Sequence, residues 1–87
     1  MSYSILVLPS AKKSLAKLPK ADQARVDRHL VGLAEEPRPP GCVKLSGPSG
    51  LWRIRVGDYR VVYEIQDRQL IVVVVTIAHR RDVYRGT

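Results

Sequence analysis

The dipeptide Gly57-Asp58 stands between Leu51–Val56 and Tyr59–Gln66, two runs of β-branched, aromatic and other large residues in which apolar side chains recur at every second position. Alternation of this kind predicts strands, and a two-residue link with glycine first predicts a tight hairpin. The chain must therefore fold back at Gly57, and the register follows. Val56 pairs with Tyr59, Arg55 with Arg60, Ile54 with Val61, Arg53 with Val62, and Trp52 with Tyr63. One face of the hairpin then carries Trp52, Ile54, Val56, Tyr59, Val61, Tyr63 and Ile65, a continuous apolar surface that needs a covering layer.

The other face carries Arg53, Arg55 and Arg60, with Arg55 directly across from Arg60. Two guanidinium groups about 5 Å apart repel by about 1–3 kcal/mol, depending on whether water or a protein surface sets the dielectric. Like charges facing each other are also disfavoured in sheets. Thr, Glu or Gln would relieve that strain. The three arginines are therefore expected to receive an anion, and a phosphodiester suits the planar arginine fork.

The remaining elements complete one fold. Residues 3–8 read as a strand ended by Pro9. In residues 10–18, Ala11, Leu15 and Leu18 recur at helical spacing behind Ser10, expected to be the N-cap, and Pro19 closes the turn. Val26, Leu30 and Leu33 give residues 20–36 the same period, until Pro37, Pro39, Pro40 and Gly41 stop it. Residues 69–78 form the last strand. The expectation is a single α+β domain over residues 1–87, in the order β-α-α-β-β-β, with a two-helix hairpin packed on one face of a mainly antiparallel four-stranded sheet. At 87 residues there is no room for a second domain and an interdomain cleft.

The last strand runs back beside the second member of the hairpin, so it delivers His79, Arg80, Arg81, Tyr84 and Arg85 to the end of the sheet that carries Arg55 and Arg60. With an unbroken alternation, Ile77 and His79 share the Arg60 face and Arg80 points to the helix side unless the chain bends after Ala78. Fifteen Lys and Arg against eight Asp and Glu leave a net charge of +7, and ten of the fifteen cations are arginine. A polyanionic partner fits that balance. Cys42 is the one cysteine, so no internal disulfide is possible, and His29 and His79 lack second ligands at zinc spacing. No metal or cofactor is expected. Residues 70–78 are too short an apolar run for a membrane span, which takes about 20 residues, and a reducing, cytoplasmic setting is expected.

The segments Gly57-Asp58-Tyr59-Arg60-Val61-Val62-Tyr63-Glu64-Ile65 and Ile77-Ala78-His79-Arg80-Arg81-Asp82-Val83-Tyr84 resemble the RelE/ParE toxin superfamily of type II toxin–antitoxin systems. The element order, the lysine-rich first helix ending in Leu18-Pro19, and Lys44-Leu45 ahead of the next strand fit the same pattern, so the likeness spans nearly the whole chain. The RelE-like branch consists of ribosome-dependent mRNA endonucleases, whereas ParE-like members poison DNA gyrase without cutting RNA. The joint presence of Arg53, Arg55, Arg60, Arg80 and Tyr84 favours the RelE-like branch. The resemblance implies that Arg60 and Arg80 hold the scissile phosphate and that Tyr84 is the catalytic or base-stacking aromatic. Arg53, Arg55, Arg81 and His79 are then RNA- and phosphate-binding residues. Mature partners would be message on the ribosome and a cognate antitoxin.

This chain has Arg53 and Arg55 where well-known mRNA-cleaving members have lysines. Arginine keeps the charge, but a pKa above about 12 makes it a poor proton acceptor. Proton transfer therefore falls to Tyr84, His79 or Glu64. A gyrase inhibitor or a plain RNA-binding module are the competing readings of the same basic face.

Overall fold

The computed structural model describes residues 2–45, 47 and 50–79. Its elements are β1 (Ser4–Val7), α1 (Pro9–Ala16), α2 (Lys20–Glu35), β2 (Val43–Lys44), β3 (Leu51–Val56), β4 (Tyr59–Gln66) and β5 (Ile71–His79). Pro9 rather than Ser10 opens α1. Its ring presets the helical φ and its missing N–H is one the first turn leaves unbonded anyway, with Leu8 extended before it. The two helices are tied at their junction by Gln23, whose amide donates to the carbonyls of Leu18 (2.8 Å) and Ala16 (3.2 Å). That bond occupies carbonyls that the end of α1 would otherwise expose.

The sheet is five-stranded and mixed, in the order β1-β5-β4-β3-β2, which corrects the expected four-stranded arrangement. The extra strand is β2, which pairs only Val43 with Arg53 and Lys44 with Trp52. Two residues are too few to display an alternation. The mixed character comes from β1, which runs parallel to β5 with Ser4 opposite Ile71 and Val7 opposite Val74. The β3–β4 hairpin has the expected register throughout, from Leu51 opposite Glu64 to Val56 opposite Tyr59. Gly57 takes φ +60° while Asp58 stays outside the left-handed region, as a turn with glycine first requires.

Both helices cover one face. Ala11, Val26, Leu30 and Leu33 close over Ile54, Val56, Val61, Tyr63, Val72, Val74 and Ile77, all buried. Trp52 and Ile65 pack at the margin of this core. Tyr63 is fully buried, and its hydroxyl donates to the Pro37 carbonyl at 2.8 Å, so the one polar atom of the ring is satisfied. Burial raises its pKa far above the ordinary tyrosine value.

A bulge between Val62 and Tyr63 changes the fate of the last strand. Tyr63 pairs with Val74, but Val62 pairs with Thr76, so Val75 is the extra residue on β5. The inward set accordingly switches from Val72 and Val74 to Ile77. This reverses the expected facing of the strand end: Ile77 lies opposite Val61 and His79 opposite Tyr59, on the helix side, while Ala78 lies opposite Arg60. Across the far end of the sheet, the Arg38 guanidinium grips Asp67 through Nη2–Oδ2 at 2.9 Å and Nη1–Oδ1 at 3.3 Å. The Tyr3 hydroxyl donates to the same carboxylate at 2.7 Å. Arg38 also lies 5.1 Å from the centroid of the Trp52 ring. These contacts join the N-terminus, the proline-rich loop and the β4–β5 turn.

Candidate nucleic-acid interface

Strand alternation places Arg53, Arg55 and Arg60 on the face that the helices leave uncovered, with Arg55 and Arg60 as direct cross-strand partners. Arg55 is exposed, whereas Arg53 and Arg60 are half-buried and the Arg60 Nε lies beneath the surface. On its other side Arg60 is paired with Ala78 of β5. Arg53 is flanked by Val43 and Val62. The result is a fixed concentration of positive charge on a rigid sheet, suited to phosphate oxygens.

Glu64 shares this face. It lies four residues along β4 from Arg60, about 13 Å at the usual rise of a strand, and its carboxylate accepts a hydrogen bond from the Gln66 amide at 2.8 Å. It is nevertheless a diagonal neighbour of Arg53, two residues along β4 from that arginine's partner Val62, and so borders the cluster at its Arg53 end. His79 stands on the opposite face, edge-on to Tyr59 with ring centroids 5.4 Å apart and planes at 88°. The Tyr59 hydroxyl donates to Asp22 Oδ2 at 3.2 Å, and both burial and that carboxylate raise its pKa. His79 and Tyr59 line a hollow of about 500 Å³ with Ser14, Lys17, Leu18 and Thr76. The expected contributions of Arg80, Arg81 and Tyr84 fall outside the described residues.

Two features were not foreseen. Arg25 of α2 reaches the hairpin turn, its Nη1 lying 2.8 Å from where a Cβ on Gly57 would stand. Lys17 borders the His79 hollow. Both depend on how helices and strands meet in three dimensions, which no local spacing encodes. Among the described residues no three His, Cys, Asp or Glu side chains gather in a way that would hold a metal ion, and no helix is long and apolar enough to cross a membrane.

A family model described as the ParE toxin of type II toxin–antitoxin systems matches residues 5–84. Toxin RelG of Mycobacterium tuberculosis is 34% identical over 86 residues, covering 98% of this chain and 99% of the relative. The chain belongs to the RelE/ParE toxin superfamily, on its RelE-like branch. Solved structures of RelE-like proteins share the architecture. The toxin–antitoxin complex RelBE2 of M. tuberculosis superposes with a TM-score of 0.82 at 29% identity, covering 92% of this chain and 100% of the other. The archaeal RelE–RelB complex of Pyrococcus horikoshii gives the same TM-score at 30% identity, covering 92% of this chain and 97% of the other. The chain is thus a RelE-like toxin of the type II class, and its arginine face is carried on that shared frame.

Proposed function

We propose that this RelE-like toxin is a cytoplasmic, metal-independent endoribonuclease that cuts message on the translating ribosome and so inhibits translation. The reading is carried by one observation: Arg55 and Arg60 are direct partners on an uncovered sheet face, with Arg53 beside them. In the reaction, the RNA 2′-oxygen attacks the adjacent phosphorus and gives up its proton. The P–O5′ bond breaks, and the leaving oxygen gains a proton, so the products are a 2′,3′-cyclic phosphate and a 5′-hydroxyl. Arg60, with Arg53 and Arg55, stabilises the added negative charge on the phosphorane; a single preorganised donor contributes about 3–4 kcal/mol in comparable sites. Arg80 joins them on the scissile phosphate and Arg81 binds the flanking backbone. Tyr84 stacks on a base or transfers a proton. His79, at the end of β5 on the helix side, meets RNA only where the strand passes round the end of the sheet. The ribosome supplies the remaining requirement by holding the message in line for attack.

The relatives solved as RelB complexes support a cognate antitoxin as the protein partner of this chain. A net charge of +7 and exposed sheet edges make the toxin a target for an acidic, strand-forming segment. The match to a ParE model supports a second reading, in which the same face docks on DNA gyrase. Mapping message ends by primer extension after induction separates the two. Endonuclease action yields new ends inside translated messages, whereas gyrase poisoning leaves messages intact and accumulates DNA breaks.

A further inference from the structure

We propose that the groove between α2 and the outer edge of β3 is a second subsite for single-stranded RNA, holding one nucleotide next to the strand bound on the arginine face. The inference rests on the RNA-cleaving reading and extends its surface around the sheet edge. Two adjoining hollows of about 210 and 290 Å³ share His29, Pro39 and Ile54 as walls. The first adds Arg28, Gly32 and Leu33, and the second adds Pro40, Gly41 and Arg55. Arg55 therefore borders both the groove and the Arg53–Arg60 cluster.

The groove exists because β2 stops early. Leu45 N–H bonds the Leu51 carbonyl at 2.9 Å, so by strand alternation the backbone groups of Arg53 and Arg55 also face the β2 edge. Extending the ladder two residues beyond the Val43–Arg53 pair would bring Gly41 opposite Arg55. Gly41 instead adopts φ +90° and turns away, and Pro40 and Pro39 have no N–H with which to pair. The edge from Ile54 to Val56 therefore has no strand beside it among the described residues.

The lining identifies the occupant. Leu33 and Ile54 make an apolar floor, Arg28, His29 and Arg55 are cationic or imidazole rims, and among the described residues no carboxylate lines either hollow. A base meets the floor, the His29 ring or a guanidinium plane, and its phosphates meet Arg28 and Arg55. An added peptide strand fits less well. The turn in which Cys42 N–H bonds the Pro39 carbonyl at 3.0 Å holds Pro39, Pro40 and Gly41 as the outer wall of the groove, leaving a peptide only the short edge from Ile54 to Val56 to pair with.

The test titrates the full chain with a single-stranded RNA oligonucleotide made wholly of 2′-O-methyl nucleotides, which binds without being cut. The Gly32 and Gly41 amide resonances should shift. Arg28→Glu combined with His29→Glu should weaken binding by about tenfold or more and reduce the salt dependence by about one phosphate contact, with the melting temperature unchanged. Arg28→Lys should retain most of the affinity. If Arg60→Ala weakens binding but the groove amides and the Arg28 variant are silent, the groove is no subsite although the RNA reading stands. Absence of any binding by the native chain removes both. Shifts produced by a synthetic acidic peptide and not by the RNA would overturn the proposal in favour of a protein ligand.

Discussion

Arg55 and Arg60 face each other directly across β3 and β4, a like-charge pair that a sheet built only for stability would not contain. Stability and function are therefore separable at this position. Arg60→Ala is expected to abolish toxicity while changing stability by no more than about 1 kcal/mol, because removing one member relieves repulsion. Growth on induction and a thermal melt of the purified variant check both halves. A large fall in melting temperature, or toxicity retained, would contradict it.

Tyr84→Phe and Tyr84→Ala distinguish the two roles open to that side chain. Phenylalanine preserves the stacking surface and removes only the hydroxyl. If Tyr84 transfers a proton, the phenylalanine variant loses at least about a hundredfold in single-turnover cleavage rate on ribosomes. Cleavage preserved in phenylalanine and lost in alanine assigns stacking instead.

Tyr63→Phe tests the polar contact inside the core. The ring fits the same space, but the buried Pro37 carbonyl loses the hydroxyl that now donates to it at 2.8 Å. The expected cost is about 1–3 kcal/mol in urea denaturation. A change below about 0.5 kcal/mol would mean that another donor replaces the hydroxyl.

The Arg38–Asp67–Tyr3 contact makes stability depend on pH in a defined direction. Hydrogen bonds from Arg38 and then Tyr3 lower the Asp67 pKa below the ordinary carboxylate value. A carboxylate with a depressed folded-state pKa stabilises the fold above its unfolded pKa, about 3.9, and that contribution disappears as pH falls through the lower folded value. Asp67→Asn should therefore lower the melting temperature near neutral pH. The gap from the native chain should narrow as pH falls below the unfolded carboxylate value of about 3.9 and close once pH is below the folded one. A gap that is constant from neutral to acid would place the effect elsewhere.

The β3–β4 hairpin was legible because alternation, glycine and aromatic pairs all agree within sixteen residues, from Leu51 to Gln66. The arginine cluster followed from that register alone. Three features of the sheet were not legible. β2 has two residues and no pattern of its own, and it forms because Val43 and Lys44 meet an existing edge. The parallel placement of β1 depends on the path taken through two helices. The bulge falls in Val72–Val75, where four identical side chains hide any change of facing. That last omission carried His79 to the wrong side of the sheet. The Arg38–Asp67 pair, 29 residues apart in the chain, has no local signature either.

If the arginine face promotes attack by the RNA 2′-hydroxyl as proposed, one substitution reaches that step directly. Replacing the 2′-hydroxyl by hydrogen at the scissile nucleotide of a ribosome-bound message removes the nucleophile and leaves the phosphate charge intact. Toxin binding should persist, cleavage should be lost, and the unsubstituted message should yield 2′,3′-cyclic phosphate ends. Cleavage of the deoxy-substituted message at the same bond would contradict the proposal, as would intact native message alongside accumulating DNA breaks.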